Sequence, residues 1–153
     1  MIKKIIFVLV LFCIQKVHAN NVILVLGDSL SASYGIEQQH GWVELLKDKL
    51  KTKKIKYDIV NSSISGETTA GGLKRLPRLL KENNPKIVIL QLGANDGLRG
   101  LSTKQIYKNI NKMVKIIKKN SSRCLLVGIK VPPNYGNRYS KSFFEVYEKI
   151  SNQ

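Results

Sequence analysis

The chain has 153 residues, 43% of them hydrophobic, a formal net charge of +16 and two cysteines. That length and apolar content suit one globular domain with a real core, and no internal repeat, low-complexity segment or second domain is visible. The charge favours anionic partners, yet its lysines are spread over predicted helices, as at Lys47, Lys49 and Lys51 or Lys112, Lys115, Lys118 and Lys119. With no basic strip interleaved with aromatics and no nucleic-acid motif, no nucleic-acid partner is expected.

The first residues read as an export signal. Lys3 and Lys4 make a basic start, Ile5 to Ile14 is an apolar run, and Val17-His18-Ala19 resembles a small-residue cleavage site. Cleavage is expected after Ala19, which leaves residues 20–153 as the domain and places it in the periplasm or outside the cell. The apolar run falls short of the roughly 20 residues that span a bilayer, so no stable membrane anchor is expected. Cys13 leaves with the signal. Cys124 is then alone in an apolar run, where it reads as a small core residue rather than a reactive thiol.

Val22 to Leu26 is an unbroken apolar run stopped by Gly27-Asp28-Ser29, the pattern of a buried parallel strand entering a turn. A helix follows from about Gly41 to Lys51, with Trp42, Leu45, Leu46 and Leu50 at helical spacing. Tyr57 to Val60 predicts a second strand. Leu73, Leu76, Leu79 and Leu80 predict a second helix, kinked or restarted at Pro77. Ile87 to Leu92 predicts a third strand, and Gly93 to Gly100 a loop. Ser102 with Gln105 makes a capping-box signature opening a helix with Ile106, Ile110, Met113, Val114 and Ile117 on one face. Cys124 to Val131 predicts a fourth strand, and a last helix starts near Ser140. The alternation predicts an α/β fold with a parallel sheet and helices on both faces.

Three loops leave the carboxyl ends of the first three strands, carrying Gly27-Asp28-Ser29-Leu30, Ser63-Ile64-Ser65-Gly66-Glu67-Thr68 and Gly93-Ala94-Asn95-Asp96. In a doubly wound sheet such loops converge on one crevice. Ser29 there is either a nucleophile or a helix cap. Asn95 and Gly66 are either oxyanion partners or turn residues. Asp28 and Asp96 are placed to hold the loops by accepting from backbone N–H groups. Two carboxylates without a further clustered acid make a thin Mg²⁺ site, and no metal or cofactor is expected. The strained elbow of α/β-hydrolases does not fit, because position 31 is Ser31 and not glycine.

These blocks resemble the SGNH, or GDSL, hydrolases, and more narrowly the bacterial periplasmic enzymes that act as acyl-thioesterase, lysophospholipase and arylesterase. Gly27-Asp28-Ser29-Leu30-Ser31 is similar to the nucleophile block, Gly66 to the glycine block and Gly93-Ala94-Asn95-Asp96 to the G-x-N-D block. Gly97-Leu98-Arg99-Gly100 and Pro133-Asn134-Tyr135-Gly136 also look like that subfamily. The resemblance runs from about Val22 to Lys149. It implies a three-layer αβα fold with a flavodoxin-like parallel sheet. It makes Ser29 the nucleophile and Ser29, Gly66 and Asn95 the oxyanion hole. It implies a small acyl ester or thioester as substrate, lysophospholipid included, and a monomer.

One block of that pattern is absent. The family's general base is a histidine in a D-x-x-H block, and these 153 residues contain none; the two histidines are His18 and His40. His40 lies in a polar loop and reads as solvated. Without a base a serine hydroxyl is a weak nucleophile at neutral pH. The sequence therefore reads as a truncated member lacking the last strand and helix, with the fourth strand left as an edge. Three outcomes stay open: a crippled esterase or thioesterase, a non-catalytic acyl- or partner-binding remnant, and a fragment that does not fold alone.

Overall fold

The computed structural model describes residues 21–153; the export signal expected over residues 1–19 lies outside them. Four parallel strands form one sheet: β1 (Val22–Gly27), β2 (Asp58–Asn61), β3 (Ile87–Gln91) and β4 (Arg123–Leu126), in the order β2-β1-β3-β4. Every residue of β1 is buried. It has a strand on each side and apolar cover on both faces, which is why its sequence is continuously apolar and does not alternate.

The helices are α1 (Trp42–Thr52), α2 (Thr69–Asn83), a short α3 (Ala94–Leu98), α4 (Thr103–Lys119) and α5 (Asn137–Ser151). Leu24 and Leu26 of β1, with Val88 and Leu90 of β3, pack on one face with Leu76 of α2, Met113 of α4 and Phe143 of α5. Ile23, Val25 and Ile89 point the other way, onto Val43, Leu46 and Leu50 of α1. This is the expected three-layer αβα architecture. Leu45, counted with the apolar face of α1, is 54% exposed. Only α1 covers its side of the sheet among the described residues, so Leu125 of β4, in register with Ile89, is left 55% exposed.

Several boundaries differ from the sequence reading. The second helix passes through Pro77 without restarting; the Thr68 hydroxyl caps its start by accepting from the Gly71 N–H at 3.2 Å. Its end is a left-handed Asn84 (φ +40°) whose N–H donates to the Leu80 carbonyl at 2.9 Å. The fourth strand stops at Leu126, not Val131. The Val127 N–H makes a last bond to the Leu90 carbonyl at 2.9 Å, and β3 then turns away at Gly93, leaving residues 128–131 without a partner strand. The predicted loop over Gly93–Gly100 contains α3. The last helix starts at Asn137, three residues before Ser140. The capping box at Ser102 does not form, although α4 begins beside it. Gln105 instead donates to Asn109 Oδ1 at 2.9 Å, because Asn109 is buried and its own amide is turned inward.

Candidate active site

The turn after β1 is fixed by a buried polar knot. Asp28 is fully buried. Its Oδ1 accepts from the Leu30 N–H at 3.0 Å and from Gln91 Nε2 at 3.1 Å. The Ser31 hydroxyl donates to Gln91 Oε1 at 2.6 Å, and the Ala32 N–H donates to the Asp28 carbonyl at 2.9 Å. A Cβ on Gly27 would sit 2.6 Å from Ser31 Oγ and 2.8 Å from Gln91 Oε1, so the knot closes only around glycine. The turn leaves Ser29 half-buried between buried Asp28 and exposed Leu30. No hydrogen bond among the described residues engages its hydroxyl.

The second loop lies alongside that turn. The Ser62 N–H donates to the Val25 carbonyl at 2.9 Å and the Ile64 N–H to the Gly27 carbonyl at 3.1 Å. Gly66 has φ +80° with open space around the position of a Cβ, so it is required by the backbone and not by crowding. Arg75 of α2 clamps the loop from below. It pairs with Glu67 at 2.7 Å and donates to the Ser62 carbonyl at 3.0 Å.

The third loop is tied to the second. Asn95 donates through Nδ2 to the Glu67 carbonyl at 2.9 Å. Asp96, 2% exposed, accepts from the Thr69 N–H at 2.8 Å and from the Thr69 hydroxyl at 2.6 Å. Asn109 of α4 donates to the same hydroxyl oxygen at 2.9 Å. Both aspartates thus hold backbone N–H groups, Leu30 for Asp28 and Thr69 for Asp96. Gly93 stands at φ +124°, and a Cβ there would collide with the Tyr147 hydroxyl, which donates to the Leu92 carbonyl at 3.0 Å. Burial, with the nearby charges of Asp96 and Asp28, pushes the Tyr147 phenol well above its ordinary range and keeps it a neutral donor.

Ser29 and Asn95 open onto one cavity of about 250 Å³, walled also by Leu30, Ala94, Leu98 and Ile129–Pro132. Gly66 does not line it and is joined to it through Glu67. His40 lies elsewhere, on an exposed 3-10 turn over Gln38–His40, 3.9 Å from the Glu37 carboxylate. Among the described residues no group of three or more His, Cys, Asp or Glu side chains is placed to hold a metal. The Cys124 thiol is pushed up to about 11 by burial, against the opposing charge of Lys118.

The sequence reading missed Gln91, Thr69, Asn109 and the wall from Ile129 to Pro132. Gln91 and Asn109 carried a signal. One is the polar end of an apolar strand, the other a polar residue among apolar positions of a helix, and buried polar groups need partners. The wall gave none, because Ile129 to Val131 read as strand and Pro132 as its stop.

The chain matches the model of the GDSL-like lipase/acylhydrolase family over residues 25–152. It is 43% identical to esterase TesA of Pseudomonas aeruginosa over 145 residues, which are 95% of this chain and 72% of that protein. It is 40% identical to thioesterase 1/protease 1/lysophospholipase L1 of Escherichia coli K12 over 138 residues, 90% of this chain and 65% of that one. A crystal structure of the psychrotrophic esterase EstA from Pseudoalteromonas sp., inhibited by monoethylphosphonate, superposes with a TM-score of 0.83 at 46% identity, covering 87% of this chain and 73% of that one. With the match running from the middle of β1 to just past α5, the chain belongs to the GDSL-like lipase/acylhydrolase family.

Proposed function

We propose that residues 20–153 form the catalytic domain of an exported serine hydrolase acting on acyl esters and thioesters, including arylesters, lysophospholipids and acyl-CoA, with residues 1–19 as its removable signal. The observation that carries this reading is the shared cavity of Ser29 and Asn95 at the carboxyl ends of β1 and β3. Names of relatives such as esterase and thioesterase 1/lysophospholipase L1 support the substrate class. Ser29 Oγ attacks the acyl carbonyl. The oxyanion is held by the N–H of Ser29, the N–H of Gly66 and the Asn95 amide N–H that Glu67 does not occupy. The acyl group lies against Leu98, Ile129 and Val131.

The serine proton needs an acceptor, which then returns it to the leaving oxygen or sulfur. Within the described residues the only histidine is His40, exposed and outside the cavity. Turnover by this chain as it stands is therefore impaired. The same observation favours a second reading, an acyl-binding domain without catalysis.

A fluorophosphonate probe separates them, since its phosphorus is electrophilic enough to capture even a weakly activated serine. Slow adduct formation on Ser29, absent from Ser29→Ala, is expected. An adduct on another serine contradicts the assignment, and a folded, unlabelled protein that binds fatty acyl chains supports the second reading. N-terminal sequencing of exported material tests the signal: Asn20 is expected first, and an intact Met1 refutes it.

A further inference from the structure

The solvent face of α4 is cationic throughout, which the scatter of lysines along the sequence conceals. The helix contains six lysines, Lys104, Lys108, Lys112, Lys115, Lys118 and Lys119, and no Asp or Glu. All six are exposed, and the only other exposed residue between Lys104 and Lys119 is Gln105. At about 100° per residue they fall within an arc of roughly 120°, and at about 1.5 Å rise the stripe is roughly 22 Å long. Opposite it, Ile106, Ile110, Met113 and Ile117 are fully buried, so the stripe cannot rotate inward.

Among the described residues no acid of the neighbouring helices forms a salt bridge with it. Glu82 of α2 is held by Arg78 at 2.6 Å and Glu145 of α5 by Lys149 at 3.2 Å. No salt bridge among the described residues involves a lysine of α4. Lys81 of α2 and Lys119 of α4 flank the same groove, which extends the patch. Like charges three and four residues apart on a helix repel one another, so the stripe lowers the free energy of the protein only when a counter-charge covers it.

We propose that this face docks the protein on an anionic phospholipid surface. A row of lysines suits a diffuse plane of headgroup charge, because each ammonium is a point charge without the planar fork by which arginine selects single phosphates. Single-stranded nucleic acid fits less well. It is bound through aromatic stacking platforms, and the one aromatic residue of α4, Tyr107, is half-buried with its hydroxyl accepting from Gln153 at 2.7 Å. The docking proposed is peripheral, through headgroup charge alone; no helix among the described residues is long and apolar enough to cross a membrane. It does not depend on Ser29.

The test is co-sedimentation of the purified chain with vesicles of phosphatidylcholine alone or doped with phosphatidylglycerol. Binding to the doped vesicles only is expected, and its loss as salt rises from about 0.1 M to about 1 M, where the Debye length falls from about 10 Å to about 3 Å. Replacing Lys108, Lys112 and Lys115 by Gln removes three charges from the stripe. At about fivefold per lysine, affinity falls on the order of a hundredfold. Replacing Lys49, Lys51 and Lys53 by Gln removes the same charge from the opposite side of the sheet and leaves binding within a few fold. Circular dichroism checks that both variants keep the fold. Equal losses in the two variants would show that net charge alone acts and overturn the proposal, as would no binding to the doped vesicles. Tighter binding to single-stranded RNA than to the vesicles, lost in the α4 variant, would replace lipid by nucleic acid and also overturn it.

Discussion

Asp96→Ala probes the brace that ties the third loop to α2. The carboxylate is 2% exposed and accepts two hydrogen bonds from Thr69, at 2.8 Å to the backbone N–H and 2.6 Å to the hydroxyl. Thr69 is itself fully buried, so water cannot replace the lost acceptor. Each orphaned buried donor costs about 1–3 kcal/mol. The hydroxyl can turn toward another acceptor, while the N–H at the start of a helix cannot. A loss of about 2–5 kcal/mol is expected, a large part of the roughly 5–15 kcal/mol that holds a domain. Asp96→Asn keeps an acceptor for the N–H and costs about 1–2 kcal/mol. Urea unfolding followed by far-UV circular dichroism measures this. With a slope of about 1–3 kcal/mol per molar, the midpoint of Asp96→Ala drops by on the order of 1–2 M. Thr69→Val in the same background costs less than it does alone, because the two share their bonds. A midpoint shift below about 0.2 M, or full additivity, would refute the brace.

Three other outcomes follow from single positions. Gly93→Ala places a Cβ against the Tyr147 hydroxyl at φ +124° and destabilises by about 2–5 kcal/mol, as strain and overpacking together; a midpoint unchanged in urea would show that the loop gives way freely. The thiolate is the form that reacts, so with the Cys124 thiol raised to about 11 its alkylation by iodoacetamide is slow at pH 8. The rate climbs about tenfold per pH unit toward 11, and levelling near 9 would mean an open, ordinary thiol. Leu125 is an exposed apolar residue on the edge strand β4, where unpaired N–H and C=O groups invite association. Leu125→Lys reduces aggregation by light scattering while changing stability by no more than about 0.5 kcal/mol; equal scattering would place the sticky surface elsewhere.

What could be read before the structure was what chain-local physics dictates. Val22 to Gly27 announces a central parallel strand because burial on both faces leaves no polar position. The helical face of Ile106, Ile110, Met113 and Ile117 is set by a 3.6-residue period that no neighbour alters. The parallel sheet with helices on both faces follows from the alternation of strands and helices, while its flavodoxin-like character comes only from the family resemblance. Features that depend on a distant partner stayed hidden. Cys124 to Val131 is uniformly strand-like, yet only Arg123–Leu126 find a partner, since Gly93 turns β3 away. Ser102 and Gln105 have the residues of a capping box, but the buried amide of Asn109 takes the Gln105 side chain. At the site, Ser29 and Asn95 could be placed in one crevice because their loops leave the carboxyl ends of strands in a doubly wound sheet. The resemblance places Gly66 in the same crevice; what sequence could not show is the tie between its loop and Asn95, because the acceptor is the Glu67 carbonyl, a backbone group. The clustering of lysines on α4 was hidden for a related reason: a count along the chain does not show which of them share an arc.

The most direct test of the site is hydrolysis of a short activated aryl ester by the wild-type chain, Ser29→Ala and Asn95→Ala. In a well-studied serine protease, losing the serine or its histidine alone costs about as much as losing the whole triad, and roughly 10³–10⁴ over water remains from the oxyanion hole and binding. Among the described residues the cavity is lined by Ser29 and Asn95 and by no histidine. Residual hydrolysis is therefore expected to be slow and little changed by Ser29→Ala. Asn95→Ala lowers it further, by up to about 10²–10³, because it removes a donor to the oxyanion. Full-strength turnover abolished by Ser29→Ala would contradict this account, since it would require His40 or another chain to supply the base.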